Sequence, residues 1–323
     1  MAKQPTVLIC GASGLIGSRL QGLLRARGYR VTVLSRSPDQ GQDRFYWDPS
    51  RGFLNIDALN AQHIINLAGT GVADKKWSAR RKAEIIGSRV DSADILYKKL
   101  TELKSYPETY ISASAIGFYG DRGDLLLSED ARVGSGFLAE TTARWEQAAD
   151  QFATLGIRTV KIRIGVVLAR DGGALEKLAL PIRWMAGAPL GTGDQYMSWI
   201  HIDDICAMFL AALENKKWNG VFNGVAPEPV TNREITTRIA KILDKPLLLP
   251  NVPEFALRLA MGEMANIVLE SARVSCVKAL DHGFEFQYGR LNAALAHLLT
   301  DPDASDAARP LREPENEIVS ETI

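Results

Sequence analysis

The chain opens on an apolar run, Thr6–Cys10 (TVLIC), that stops at Gly11. A run that is apolar on both of its faces predicts a parallel strand covered by helices on either side. After a few residues of turn, Leu15, Ile16, Leu20, Leu23 and Leu24 recur at helical spacing until Gly28, a natural helix stop. Further apolar runs at residues 31–34 (VTVL), 63–67 (HIINL), 110–114 and 160–168 predict four more strands. Stripes at helical period separate them. Ile86, Val90, Ala93, Tyr97 and Leu100 form one stripe, and Trp145, Ala149 and Phe152 form another. Strands that alternate with helices predict an α/β fold built on a doubly wound parallel (Rossmann) sheet.

The texture changes after Leu168. A glycine pair (Gly172, Gly173), the loop GAPLGTGDQ from Gly187, and WIHIDDI with a helix behind it read as an excursion and a return. The stretch 246–299 has proline breaks, an apolar helical segment around 255–264 and a last amphipathic piece at 291–299. The expected organisation is a nucleotide-binding domain at residues 1–225, a smaller C-terminal substrate lobe at 226–299, and a flexible tail at 300–323 rich in Asp, Glu, Pro and Ala.

Composition narrows the function classes. The 323 residues are 46% hydrophobic and 24% charged, and Lys+Arg 38 balances Asp+Glu 38, which argues against nucleic acid as the main partner. Cys10, Cys206 and Cys276 are scattered without the spacing of a metal site or a disulfide framework, so no metal and a reducing cytoplasm are expected. The N-terminus has no apolar signal region, and no segment approaches the ~18 apolar residues of a membrane span, so a soluble protein is expected.

The turn after the first strand carries chemistry. Gly11, Ala12, Ser13, Gly14, Leu15, Ile16 and Gly17 place glycines at a G-x-x-G-x-x-G spacing between strand and helix. The first glycine permits the tight turn, the second lets backbone approach a pyrophosphate, and the third allows close helix–strand packing, with the phosphates at the helix N-terminus. A dinucleotide is the expected ligand. Sites that prefer NAD carry Asp or Glu about 20 residues further on. This chain has Ser35 and Arg36 there, a hydroxyl and a guanidinium suited to a 2′-phosphate, so NADP(H) is the expected cofactor.

These motifs, with NLAG (66–69), SASAIGFYG (112–120), RIGVVL (163–168), WIHIDD (199–204) and FNGVAP (222–227), resemble the atypical extended short-chain dehydrogenase/reductases often called epimerase-family proteins. SARVSCVKALDHGFEFQY (271–288) resembles the small uncharacterised domain attached to that subgroup. The resemblance implies that Leu67 and Ala68 pass the adenosine side of the cofactor and that Val167 lies near the nicotinamide. It also implies that Glu84 and Arg89, in the pattern W-S-x-R-R-K-x-E-I-I-x-S-R, face the cofactor cleft, although a solvated helix face explains them too. A homodimer through the helices at 80–100 and 137–152, and a cap by Asp203 or Asp204 on the helix after WIHI, are further implications.

Working members of that superfamily use a tyrosine as acid/base, a lysine that lowers its pKa, and a serine that orients the substrate. Here Phe137 stands at the tyrosine position and Thr141 at that of the lysine, so the usual proton route is closed. Ser114, Tyr119 and Glu140 are the candidate replacements, each with an ordinary structural explanation as an alternative. Trp77, Trp184 and Trp199 are candidates for an aromatic wall, and the loop 187–196 for a rim or lid over the cleft. Two functions remain open: an NADP(H)-dependent oxidoreductase or epimerase-like enzyme on an unknown small-molecule substrate, or a non-catalytic NADP(H) sensor that presents a surface to a partner.

Overall fold

The computed structural model describes residues 4–37, 41 and 43–300. Its strands are β1 (Thr6–Cys10), β2 (Arg30–Ser35), β3 (Arg44–Asp48), β4 (Phe53–Leu54), β5 (His63–Asn66), β6 (Thr109–Ala115), β7 (Leu126–Leu127), β8 (Arg158–Ile164), β9 (Val166–Leu168), β10 (Tyr196–Met197), β11 (Trp199–His201), β12 (Gly220–Gly224), β13 (Val230–Thr231) and β14 (Arg273–Val274). Eight of them form one sheet in the order β12-β8-β6-β5-β1-β2-β3-β4. All neighbours in it are parallel except β3 and β4. The chain moves outward from β1 through β2 to β4, then returns to place β5 on the other side of β1. The order therefore reverses between β1 and β5, and a crevice opens beyond their carboxyl ends.

Strand alternation explains why the strands read as unbroken apolar runs. Val7 and Ile9 pack with Leu20 and Leu24 of α1 (Leu15–Ala26), while Leu8 and Cys10 pack on the opposite face with Ala93, Leu96 and Leu100 of α2 (Ala79–Leu103) and with Ala149 of α3 (Phe137–Asp150). Both faces are dry. The long run at 160–168 is two strands rather than one. Gly165 divides it because a Cβ there would lie 2.5 Å from the Ser198 carbonyl oxygen, and past that crossing β9 pairs with β11.

The smaller lobe is assembled from α4 (Gly173–Arg183), α6 (Asn232–Ile242), α7 (Glu254–Met261), α8 (Asn266–Leu269) and α10 (Leu291–Thr300), whereas α5 (Ile202–Glu214) and α9 (Val277–Asp281) pack on the sheet, α9 against β12. Its apolar cluster joins Leu175, Ala179 and Ile182 of α4 to Ile235 and Ile239 of α6 and Leu295 of α10. The lobe therefore draws on chain from before residue 225 as well as after it. Residues 301–323, where a flexible tail was expected, lie outside the described residues.

Lobe and sheet meet at the start of α5. Neither Asp203 nor Asp204 caps that helix, contrary to expectation: His201 does, its Nδ1 accepting from the Asp203 N–H at 3.0 Å. The two aspartates are thereby free for longer-range partners. Asp203 pairs with Arg19 of α1 at 2.8 Å, and Asp204 accepts from the backbone N–H groups of Gln287 and Tyr288. Burial pushes the Asp204 carboxyl up to about 7 against those two donors. Among the described residues no helix is long and apolar enough to cross a membrane, and no cluster of His, Cys, Asp or Glu is suited to a metal.

Candidate cofactor cleft and the surroundings of Phe137

The glycine turn is held from below and open from above. Gly11 has φ +78°, and a Cβ on it would lie 2.6 Å from the Leu67 carbonyl oxygen. A Cβ on Gly17 would lie 2.4 Å from the Gly11 oxygen. Both positions are filled by the chain's own backbone. Gly14 is different: its Cβ would meet only the Gly11 oxygen, at 3.4 Å, and its surroundings are otherwise empty of protein. Gly14 is also the N-cap of α1 without any side-chain cap, so first-turn N–H groups of Leu15, Ile16 and Gly17 face the opening. Ala12 is buried under the turn and Ser13 is exposed at its rim.

The end of β5 completes this floor. Asn66 is fully buried; its side-chain Oδ1 accepts from the Ala68 N–H, while its Nδ2 donates to the Ser92 and Tyr110 hydroxyls. That bracing fixes Leu67 and Ala68 against Gly11. Val167 of β9 is close by, since a Cβ on Gly173 would touch both Leu15 and the Val167 oxygen. At the end of β2, Ser35 accepts the Ser37 N–H, and Arg36 is exposed with no ion pair among the described residues.

Arg89 and Glu84 separate. Five positions apart at about 3.6 residues per turn, they occupy different sides of α2. Glu84 is solvent-exposed and tied to Arg81 at 2.9 Å, and that hydrogen bond lowers its pKa. The structure therefore does not bring Glu84 and Arg89 together on one side of α2. Arg89 bonds the Ile85 carbonyl, lies 4.9 Å over the Trp145 ring, and passes so close to Gly69 that a Cβ there would sit 3.1 Å from its guanidinium carbon. Among the described residues no carboxylate pairs with it. Burial, with repulsion from Arg81, lowers its pKa to about 10, so an anion at this spot would be strongly favoured.

The three candidates for proton transfer do not converge. Ser114 donates to Glu146 at 2.6 Å, and Glu146 takes a two-pronged ion pair from Arg163, at 2.7 and 2.8 Å. Arg163 in turn donates to the Tyr119 hydroxyl, which donates to Asn223 at 2.7 Å. Tyr119 has no exposed surface, and burial raises its pKa despite the lowering effect of Arg163. This is the opposite of what a proton-exchanging phenol needs. Glu140 stands apart, exposed one turn into α3.

Phe137 is packed where the resemblance would put a phenol. The Trp77 ring meets it edge-on at 4.8 Å, and the Trp77 indole N–H is fixed on the Val72 carbonyl. Thr141 spends its hydroxyl on the Phe137 carbonyl at 2.7 Å. What does reach the Phe137 ring is an ammonium: Lys82 Nζ is 5.0 Å from its centroid and 2.5 Å from Glu263 of the smaller lobe. Sequence reading missed Lys82 because it sits in a run of basic residues, and its partner is 181 positions away. Trp199 lies in the core on the Glu228 carbonyl and Trp184 is 77% exposed, so of the three tryptophans Trp77 is the one packed on Phe137. The loop 187–196 is no free lid: Leu190 and Gly191 are bonded to Asn232 and Val252, and Gln195 to Leu190 and Val268.

Residues 7–223 match the model of the NAD dependent epimerase/dehydratase family, and residues 252–298 match a domain of unknown function (DUF1731). The chain is 37% identical over 310 residues to "Epimerase family protein SDR39U1 homolog, chloroplastic" of Arabidopsis thaliana, covering 92% of this chain and 87% of that protein. It is 34% identical to "Epimerase family protein YfhF" of Bacillus subtilis, with 91% and 98% covered. Among solved structures, the human epimerase family protein SDR39U1 (isoform2) with NADPH superposes at TM-score 0.81 and 32% identity, over 91% of this chain and 98% of that one. A UDP-glucose 4-epimerase from Thermus thermophilus, at TM-score 0.68 and 18% identity, shares the fold alone. On the sheet order, the glycine turn and these matches together, the chain belongs to the NAD dependent epimerase/dehydratase family.

Proposed function

We propose that this chain is an NADP(H)-dependent oxidoreductase of the epimerase type in which Lys82 replaces the missing tyrosine as proton carrier. The observation that carries the cofactor half is the glycine turn: protein backbone fills the space beside Gly11 and Gly17 but leaves that beside Gly14 free. The α1 N–H groups would take the pyrophosphate there. Leu67 and Ala68 would line the adenosine side, Val167 the nicotinamide side, and Ser35 with Arg36 the 2′-phosphate. Arg89, a buried cation without a carboxylate, would meet a cofactor phosphate or ribose oxygen. The NADPH in the human relative's structure supports the same choice.

A bound reduced nicotinamide supplies a hydride. The chain's part is to hold the substrate and give its oxygen a proton. The Lys82 ammonium carries three protons to give, and Glu263 holds it in place against the Phe137 and Trp77 rings. We further place the protein in a reducing compartment, since all three cysteines are free and buried, and as a pair of copies through α2 and α3.

Titration of the protein with NADPH and NADH tests the cofactor. Wild type is expected to prefer NADPH, and Arg36→Ala to weaken NADPH by about 10- to 100-fold, the loss of a charge-assisted contact, with NADH unchanged. Equal affinities in wild type would refute the assignment. For the proton carrier, NADPH oxidation is followed across a panel of carbonyl compounds. Lys82→Met should slow turnover by roughly 100-fold or more at unaltered NADPH affinity. The sensor reading is favoured by the locked Tyr119 and by Phe137, and tight NADPH binding without turnover of any compound would select it.

A further inference from the structure

Among the described residues Arg81 and Arg273 each carry a buried Nε without a hydrogen-bond partner. Arg81 is otherwise satisfied by Glu84, Asp74 and the Gly71 carbonyl. Arg273 is not provided for in this way. Among the described residues its guanidinium has no ion pair and no hydrogen bond, and its single marked contact is the face of the Tyr196 ring, 5.2 Å away. A half-buried cation without a counter-charge is costly to hold, and proteins keep one where an anion arrives.

Its place in the fold says which anion. Arg273 begins β14, which pairs with β7 just past β6, while Ala272 before it bridges to Met197. Val274 and Ala272 turn into a small apolar cluster with Tyr119, Ile116 and Phe118, the turn that follows β6. Side chains alternate along a strand, so Arg273 projects to the other side, toward Tyr196. It thus stands at the seam between the smaller lobe and the carboxyl edge of the sheet, separate from the glycine turn and from Arg89. An aromatic face behind a guanidinium leaves its planar fork of donors presented outward, the arrangement that takes a carboxylate or phosphate by two parallel bonds.

We propose that Arg273, backed by Tyr196, binds an oxyanion carried by the substrate, so that the protein acts on an anionic carbonyl or hydroxy compound. The anion site stands on its own geometry; only its assignment to a substrate rests on the oxidoreductase reading above.

The test is calorimetric titration of the full chain, with and without NADPH, using oxalate and inorganic phosphate as probes. Wild type is expected to bind one of the two. Arg273→Gln should bind it at least about 10-fold more weakly, in keeping with loss of a charge-assisted pair. Arg273→Lys, which keeps the charge and loses the fork, should fall between. NADPH affinity should be the same in all three proteins. Preference for oxalate assigns a carboxylate, and preference for phosphate a phosphoryl group. Failure of both probes on wild type, or equal binding by wild type and both variants, overturns the proposal. Anion binding that depends on Arg273 in a protein that does not bind NADPH would instead overturn the cofactor reading and leave the anion site.

Discussion

Replacing Glu146 with alanine is expected to lower stability by about 3–5 kcal/mol, the usual consequence of stranding one member of a buried ion pair. Glu146 is 6% exposed and receives the Ser114 hydroxyl and two Arg163 nitrogens. Without it, Arg163 keeps the Tyr119 hydroxyl and ring, the Glu129 carbonyl and the ring of Phe118, 3.5 Å from its central carbon. The charge would stay enclosed with no carboxylate beside it. Urea denaturation reads the effect as a shift in midpoint at constant slope. A loss below about 1 kcal/mol would mean that water reaches Arg163 and that the network is less enclosed than its geometry implies.

The second large effect separates two glycines three residues apart. Gly17→Ala should damage fold and cofactor binding together, because the new methyl would sit 2.4 Å from the Gly11 oxygen and 2.8 Å from the Ala12 Cα, backbone atoms that cannot rotate away. Overpacking of that kind costs about 1–3 kcal/mol. It also displaces the Gly11 carbonyl that accepts the Gly14 N–H at 3.1 Å, and with it the turn. Gly14→Ala should do the reverse. Its φ of −75° suits any residue and its methyl has room, so stability should hold or rise by about 0.4–1 kcal/mol. NADPH affinity should nonetheless fall by about 100-fold, since the methyl would enter the space reserved for the pyrophosphate and separate at least one charge-assisted pair. Paired melting curves and NADPH titrations check both variants. A Gly14→Ala protein that binds NADPH like wild type would refute the cradle.

Much of the architecture could be read from residue order, because it rests on local signals. β1, β5 and β6 are covered on both faces and so appear as apolar runs, and the glycine spacing marks the turn whatever follows. β3 and β4 could not be seen that way. Trp47 and Leu54 are their only buried residues, and a five-residue and a two-residue strand at the sheet edge carry too few inward positions to show a period. The division at Gly165 was hidden because its cause, the Ser198 carbonyl, is 33 residues away by position and comes close only in the fold.

The site divides along the same line. The glycine turn, Ser35 and Arg36 follow one another closely and stand out as candidates from residue order alone. The partners of Ser114 and Tyr119 were not, since Glu146, Arg163 and Asn223 come from an α-helix and two further strands. Nor does the sequence distinguish Arg89 from Arg81. One lacks an acid and the other has two within reach, a difference made by which way each points from α2.

The packing around Phe137 also limits what a single substitution can do. Tyrosine at 137 would find the Thr141 hydroxyl engaged on the chain's own backbone, and Trp77 and Lys82 packed against the ring it replaced. Lys82 leans on Glu263, so the surroundings of that ring are anchored in the appended lobe. Phe137→Tyr alone would therefore add a phenol without a lysine four positions on to lower its pKa.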